Sequence, residues 1–396
     1  MKPPRKIAIL TLGVGSGHLQ ASVVIQRALY DGGEDVETRL IDALDLAEEW
    51  FLWLYVRTYW LMLRHARPAW RLLFKRRDRK GHRATAPHWF FRRGCVRVLR
   101  ELKAYAPDLV IATEIGAAEI AALGRREDWF RAPILVAQTD FHAEPPWVQP
   151  EIDFYCVGSD RAKLQLIGWG VSPHRILVSG VPIDSAFVLG LEKREVRRSL
   201  GLDPDRPVVL VMGGGMGPAP LDQIVMSLER CGLPLQVLAV AGHDRALQVE
   251  LERLRGRIPL DLHSFGWTSN IRELMAAADL LISKPGGVTV SEALAAGLPL
   301  IVTHPIPGPE ERHVRYLVES GVAVHAATLE EIPHLVSLLI GSPARHAEMS
   351  RKARELARPE AAHSVVQVGF ALMEKTTYID LLAAPPERRG ESAYLM

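Results

Sequence analysis

Between Asp279 and Pro299 an apolar run, Leu280-Leu281-Ile282-Ser283, leads through Lys284-Pro285 into Gly286-Gly287, and then into a helical pattern carrying Thr289 and Glu292. A strand that turns on two glycines into a helix presents backbone N–H groups, and here the Thr289 hydroxyl, at a positive helix end. That is the chemistry of a diphosphate seat. Glu292 follows Thr289 by three residues and so falls near the same helix face. Its carboxylate can accept hydrogen bonds from both hydroxyls of a ribose, so phosphate and ribose would be read together. Taken without its surroundings, the same stretch also fits a tight βα turn followed by a solvated glutamate.

A second glycine-rich turn, Gly13-Val14-Gly15-Ser16-Gly17, ends the first apolar run and is followed by His18. A lone Gly-x-Gly is weak evidence for a dinucleotide site. An imidazole at a helix start can take the proton of a hydroxyl as its oxygen attacks carbon, or simply order the helix. Gln138-Thr139-Asp140-Phe141-His142 follows the apolar run Ile134–Ala137, at the carboxyl edge where open α/β sheets place ligands. Asp140 there can orient an imidazole, act as a base itself, or stabilise a turn. Gly213-Gly214-Gly215-Met216-Gly217-Pro218 lets backbone approach a ligand closely. Asp203-Pro204-Asp205 has the look of a metal clamp but lies in a turn-rich segment before a strand, so no metal is expected.

From Glu49 to Leu102 the composition changes. Trp53, Trp60 and Trp70, with other aromatics, are interleaved with Arg71, Arg76, Arg77 and further basic residues, and between Phe51 and Arg100 the only acid is Asp78. Such a stretch suits an interfacial helix among anionic headgroups. It also suits aromatics packed into a domain beneath a basic exterior. Stacking on nucleic-acid bases is the least favoured reading, and no nucleic acid is expected.

The elements that must position these residues read as two series of short Val/Ile/Leu runs between helical patterns, as parallel strands buried on both faces do. The first comprises Ile7–Leu12, Leu109–Thr113, Ile134–Ala137, Phe154–Val157 and Ile176–Val178. The second comprises Val208–Met212, Leu235–Ala241, Leu262–Phe265, Leu280–Ser283, Leu300–Thr303 and Val322–Val324. Two doubly wound α/β domains are predicted, since 396 residues exceed the about 250–300 that one core organises. The boundaries expected are 1–185 and 207–362, joined by a charged, proline-bearing linker at 186–206. A helix over 363–383 is expected to return to the first domain, ahead of a frayed tail at 384–396.

The 48% hydrophobic and 24% charged composition excludes disordered and fibrous classes. Cys95, Cys156 and Cys231 are far apart, which argues against a disulfide framework or structural zinc and fits a reducing compartment. The first twelve residues read as a buried strand rather than a signal peptide. No run approaches the roughly 18–20 apolar residues of a membrane span, so membrane contact is expected to be peripheral.

The Ser283–Pro299 segment resembles the donor motif of glycosyltransferase family 28. Within that family the chain resembles the monogalactosyldiacylglycerol synthases and processive diacylglycerol glycosyltransferases, and more distantly MurG. The resemblance implies a GT-B fold, two Rossmann-like domains facing a central cleft, with the first taking the acceptor and the second the UDP-sugar. It gives Glu292 the ribose, and Gly286, Gly287 and Thr289 the diphosphate, with Gly214 and Gly215 beside it. Main chain around Trp267, in Phe265-Gly266-Trp267-Thr268-Ser269-Asn270, would read uracil. Glu310, in Pro307-Gly308-Pro309-Glu310, would contact donor-sugar hydroxyls, although Pro309 stands where glutamine is usual and His313 where asparagine is. His18 matches the histidine that acts on the acceptor, with Asp140 assisting and Gly17 and His142 on the acceptor side.

The activity implied is inverting transfer of a hexose from a UDP-sugar to diacylglycerol, with no cofactor or metal, on the cytoplasmic side of an anionic cell membrane. The alternatives are a MurG-like transfer of N-acetylglucosamine to a polyprenyl-linked acceptor, a nucleotide-sugar 2-epimerase, and a non-catalytic UDP-sugar sensor.

Overall fold

The computed structural model describes residues 3–80, 88–188, 190–213 and 219–374. Packing divides them into two compact units. The first takes in the residues up to Val14, then His18–Ile183 and those from Glu360 on, and the second Gly15–Gly17 and Asp184–Pro359.

The first unit holds a six-stranded sheet of β1 (Arg5–Thr11), β2 (Val36–Asp42), β3 (Leu109–Ala112), β4 (Ile134–Ala137), β5 (Phe154–Val157) and β6 (Ile176–Val178), in the order β2-β1-β3-β4-β5-β6. All its pairings are parallel. β3 and β4 are buried along their whole length, which is why they read as unbroken apolar runs. β2 is a strand that the apolar runs do not reveal. It lies at the sheet edge, and its Val36-Glu37-Thr38-Arg39-Leu40 alternates between half-buried and exposed positions. The charges that blunt a free edge also hide the strand from a search for hydrophobic runs.

The second unit holds β7 (Val208–Met212), β8 (Gln236–Val240), β9 (Asp261–Phe265), β10 (Leu280–Ser283), β11 (Leu300–Thr303) and β12 (Ala323–Ala326), in the order β12-β11-β10-β7-β8-β9. Read from β9, this is the doubly wound dinucleotide-fold order, again all parallel. Each sheet therefore has one place where the chain reverses its winding, between β1 and β3 in the first and between β7 and β10 in the second.

The helix Ala361–Met373 belongs to the first unit. Its Ala362, Val365, Val366 and Val368 join Ile7, Ile9, Leu109 and Leu135 in one buried cluster. Gly369 makes this possible, because a Cβ there would stand 2.8 Å from Leu109 Cδ2. Residues of the expected helix and tail beyond 374 lie outside the described residues.

The charged run read as linker is not featureless. Lys193–Ser199 is a helix within the second unit, and the Arg197 side chain is only 6% exposed. Its guanidinium donates to Asp279 Oδ2 at 2.6 Å, to the Ala277 carbonyl at 2.8 Å and to the Pro204 carbonyl at 3.0 Å. Lys193 adds a bond of 3.0 Å to Asp279 Oδ1, and the Val208 N–H donates to Oδ2 at 2.8 Å. Burial opposes the charge on Asp279, but Lys193, the Val208 N–H and Arg197 outweigh it and hold the carboxyl below its usual range. Asp279→Ala strands a buried guanidinium, so a loss of about 3–5 kcal/mol is expected in urea unfolding. The double variant with Arg197→Met is expected to recover part of it. Asp203 and Asp205 are likewise occupied: Asp203 Oδ1 accepts from the Asp205 N–H at 2.9 Å, and Asp205 pairs with Arg194 at 2.6 Å.

Candidate functional site

At the reversal point of the first sheet, the chain leaves β1 through Gly13, whose N–H donates to Asp42 Oδ1 at 3.0 Å, and enters the helix Ser16–Asp31. Gly17 and His18 lie in its first turn. His18 Nδ1 sits 2.6 Å from Thr139 Oγ1, and Thr139 Oγ1 donates to the Thr113 carbonyl at 3.3 Å. Thr113 directly follows β3 and Thr139 lies just beyond β4, so three strand ends converge on the imidazole. The side chain in contact with Nδ1 is Thr139, the neighbour of Asp140, which the sequence offers as orienting group or base.

Glu114, which no motif singled out, caps the helix Ile115–Arg126 by accepting from the Gly116 and Ala117 N–H groups at 2.6 and 3.2 Å. Burial raises its pKa, the His18 charge and the two N–H groups oppose the rise, and Asp140 adds to it. His18, Glu114 and Asp140 are therefore electrostatically coupled in one cluster. His142 is buried, and its carbonyl accepts from the Gln138 amide at 2.6 Å. Its main chain thereby helps hold the loop that follows β4.

At the reversal point of the second sheet, β10 ends in Ser283 and the chain turns through Lys284 to Gly286 into the helix Gly287–Ala295. Thr289 is half-buried in the first turn of that helix and Glu292 is buried one turn on. Burial, with the Asp184 charge added, pushes the Glu292 carboxyl up to about 8. A carboxylate deprived of water in this way has its hydrogen-bonding capacity available to a ligand.

The turn itself is held from behind. His313, on the helix Pro309–Glu319, is buried, and its Nδ1–H donates to the Pro285 carbonyl at 2.8 Å. The departure from asparagine at this position thus bears on the shape of the Gly286-Gly287 turn. Glu310 Oε2 accepts from the Ile306 N–H at 2.6 Å, and Glu311 Oε2 from the Gly308 N–H at 3.1 Å, so both acids shape the loop that follows β11. Trp267, beyond β9, is exposed and stacks on His243 with ring centroids 5.8 Å apart. Gly214 and Gly215 lie outside the described residues.

The basic aromatic stretch forms helices at Glu49–Leu52, Thr58–His65, Arg67–Lys80 and His88–Gly94, with a π-turn at Trp53–Arg57. Its aromatics divide by function. Phe51, Phe74 and Phe91 are buried. Trp60 and Trp70 are half-buried around Tyr59, each ring centroid 5.2 Å from it, which ties the two middle helices together. Packing therefore uses part of the surface of two of the three tryptophans expected at the membrane. Exposed apolar side chains include Trp50, Trp53 at 59%, Leu54, Leu61, Leu72 at 67%, Leu73 and Trp89, and among them Arg57, Arg71 and Arg76 are exposed. Arg77 lies in the helix Arg67–Lys80. Among the described residues no helix is long and apolar enough to cross a membrane.

The chain is similar to known proteins in sequence and in fold. The monogalactosyldiacylglycerol synthase of Spinacia oleracea is 29% identical over 380 residues, covering 92% of this chain and 72% of its own length. The processive diacylglycerol beta-glucosyltransferase of Bacillus licheniformis is 28% identical over 359 residues, covering 90% and 92%. Among solved structures, MurG of Acinetobacter baumannii gives a TM-score of 0.61 at 16% identity, covering 93% of this chain and 99% of its own. The S. aureus MnaA–UDP structure gives 0.64 at 12% identity, covering 96% and 99%. At those identities the structural likeness is one of fold, the GT-B type with two doubly wound domains.

The monogalactosyldiacylglycerol synthase model matches residues 18–183 and the glycosyltransferase family 28 C-terminal domain matches residues 208–365. One model falls on each of the two sheets, and together they make this chain a member of glycosyltransferase family 28.

Proposed function

We propose that this protein transfers a hexose from a UDP-sugar to diacylglycerol at the surface of an anionic membrane, inverting the anomeric centre. The observation that carries the reading is the Gly286-Gly287 turn at the sheet's reversal point, with the buried Glu292 carboxyl one helical turn beyond it. The N–H groups at that helix start face the diphosphate, and Thr289 adds a hydroxyl. The Glu292 carboxylate takes the ribose diol, while Trp267 and Glu310 lie on neighbouring loops for the base and the sugar. Charge building on the departing UDP meets fixed dipoles, so no metal is required.

On the acceptor side, His18 takes the hydroxyl proton of diacylglycerol as that oxygen bonds to the anomeric carbon and UDP leaves with the electron pair of the broken bond. A β-glycoside results. Support for the lipid acceptor comes from the relatives, a galactolipid synthase and a diacylglycerol glucosyltransferase, and from the apolar and arginine-rich surface around Trp53, Leu61 and Leu72. That surface suits peripheral attachment on the cytoplasmic side.

The test is to incubate the protein with anionic vesicles containing diacylglycerol, in buffer with EDTA, giving UDP-galactose, UDP-glucose or UDP-N-acetylglucosamine in separate reactions. A hexosyl-diacylglycerol detected by mass from one donor is expected, and no glycolipid from any donor would remove the reading. In the same assay, a variant carrying Trp53→Ser, Leu61→Ser and Leu72→Ser is expected to lose at least ten-fold in vesicle binding while its affinity for UDP stays unchanged.

A further inference from the structure

The contacts of His18 close into a ring whose hydrogens can all be placed. Ser22 Oγ donates to the His18 carbonyl at 2.9 Å and lies 2.9 Å from Thr113 Oγ1. A hydroxyl has one hydrogen, so with Ser22 committed to the carbonyl, Thr113 is the donor of that second bond. The same count applies at Thr139. Its hydrogen goes to the Thr113 carbonyl, so the 2.6 Å contact with His18 is made by a Thr139 lone pair, and the donor must be Nδ1–H.

Ser22 and Thr113 are fully buried and Thr139 is 2% exposed, so water does not replace a partner here. Rotating the Thr139 hydroxyl toward Nδ1 would take from the buried Thr113 carbonyl the donor it has. The donors therefore run one way, from the His18 ring to the Thr139 hydroxyl and on to the Thr113 carbonyl, while the Thr113 hydroxyl donates to Ser22 and Ser22 to the His18 carbonyl.

We propose that Thr139 is a positioning residue that holds His18 in the Nδ1–H tautomer and so leaves Nε2 as the atom that accepts the acceptor's proton. This deepens the proposed glycosyl transfer and rests on it. During transfer the O–H proton passes to Nε2, the acceptor oxygen bonds to the anomeric carbon, and the bond to the UDP oxygen breaks with its electron pair going to UDP. The imidazolium formed keeps Nδ1–H on Thr139. A threonine, unlike the aspartate of a serine-protease triad, brings orientation without charge.

The test separates tautomer from turnover. Protein labelled with 15N-histidine is examined by NMR at pH 8.5, the His18 signals being assigned by their loss in His18→Gln. In the wild type His18 is expected as the Nδ1–H form. Thr139→Val is expected to move it toward the Nε2–H form that a free histidine ring favours, and to lower kcat at least ten-fold without changing UDP affinity. Because Thr139 lies in the first unit and the donor residues in the second, folding of the variant is checked by an unchanged circular dichroism spectrum and a cooperative melt, and Thr139→Ser is expected to restore both tautomer and kcat. An Nε2–H ring in the wild type, or a Thr139→Val protein with tautomer and kcat unchanged, overturns the proposal. If the wild type makes no glycolipid, the transfer reading falls, while the tautomer measurement still decides what Thr139 does.

Discussion

Glu292→Ala is expected to weaken UDP binding by roughly two orders of magnitude and kcat/KM by at least as much. Two charge-assisted hydrogen bonds to the ribose would be lost, each worth about 1.5–3 kcal/mol. Calorimetric titration with UDP measures this directly, and an unchanged affinity would show that the carboxyl does not hold the ligand.

The pH dependence gives a second, independent readout. The carboxyl sits at about 8 in the ligand-free protein, against a usual 4.5, because it is buried and faces Asp184. It is an acid whose folded pKa is raised. The folded chain therefore binds the proton more tightly than the unfolded one, and this group's contribution is fully present below about pH 4.5. That contribution is lost as pH rises through the window from 4.5 to 8, by at most about 1.4 kcal/mol per pH unit. Glu292→Gln lacks that slope. Its melting temperature is expected to gain on that of the wild type as pH is raised from 5.5 to 8.5, without ligand. Hydroxyls that donate to a carboxylate favour its charged form, so UDP binding is expected to release a proton and to tighten between pH 6 and 8. Titration in buffers of different ionisation enthalpy detects the release.

His18→Ala is expected to reduce kcat by about 10²–10⁴, the range supplied by a positioned general base. UDP affinity should be untouched, because the histidine belongs to the first unit and the donor residues to the second. A sensor that only binds UDP-sugar would show no such split, having no turnover to lose. A loss of both binding and turnover would place His18 in the donor site instead of on the acceptor. Paired with the Glu292 variants, this gives a double dissociation: one substitution removes chemistry and spares binding, the other removes binding first.

Much of this was legible before any coordinates. β10, the Gly286-Gly287 turn and the helix after it were readable because their causes are local: a run of apolar residues, two residues without side chains, then a helical spacing of small and apolar positions. The same holds for β3 and β4. β2 was missed because an edge strand has one partner and keeps charges on its free side. The helix Lys193–Ser199 reads as linker because its basic residues look solvated in sequence, whereas Arg197 is satisfied by the nearby Pro204 carbonyl and by Asp279 and the Ala277 carbonyl, which lie far along the chain.

The site divides in the same way. The residue types at His18, Glu292 and Thr289 announced themselves through motif spacing. Sequence alone determined that this chain builds two buried parallel sheets, with a Gly-Gly turn into a helix on one and a histidine-bearing turn on the other, because hydrophobic runs and glycine turns act over a few residues. Only the tertiary structure decided which hydroxyl faces the imidazole, that His313 props the turn at Pro285, and that Leu61 and Leu72 rather than Trp60 and Trp70 are exposed. Those outcomes depend on partners such as His18 and Thr139, which are 121 positions apart and meet only because the parallel strands β1 and β4, on either side of β3, end at the same edge.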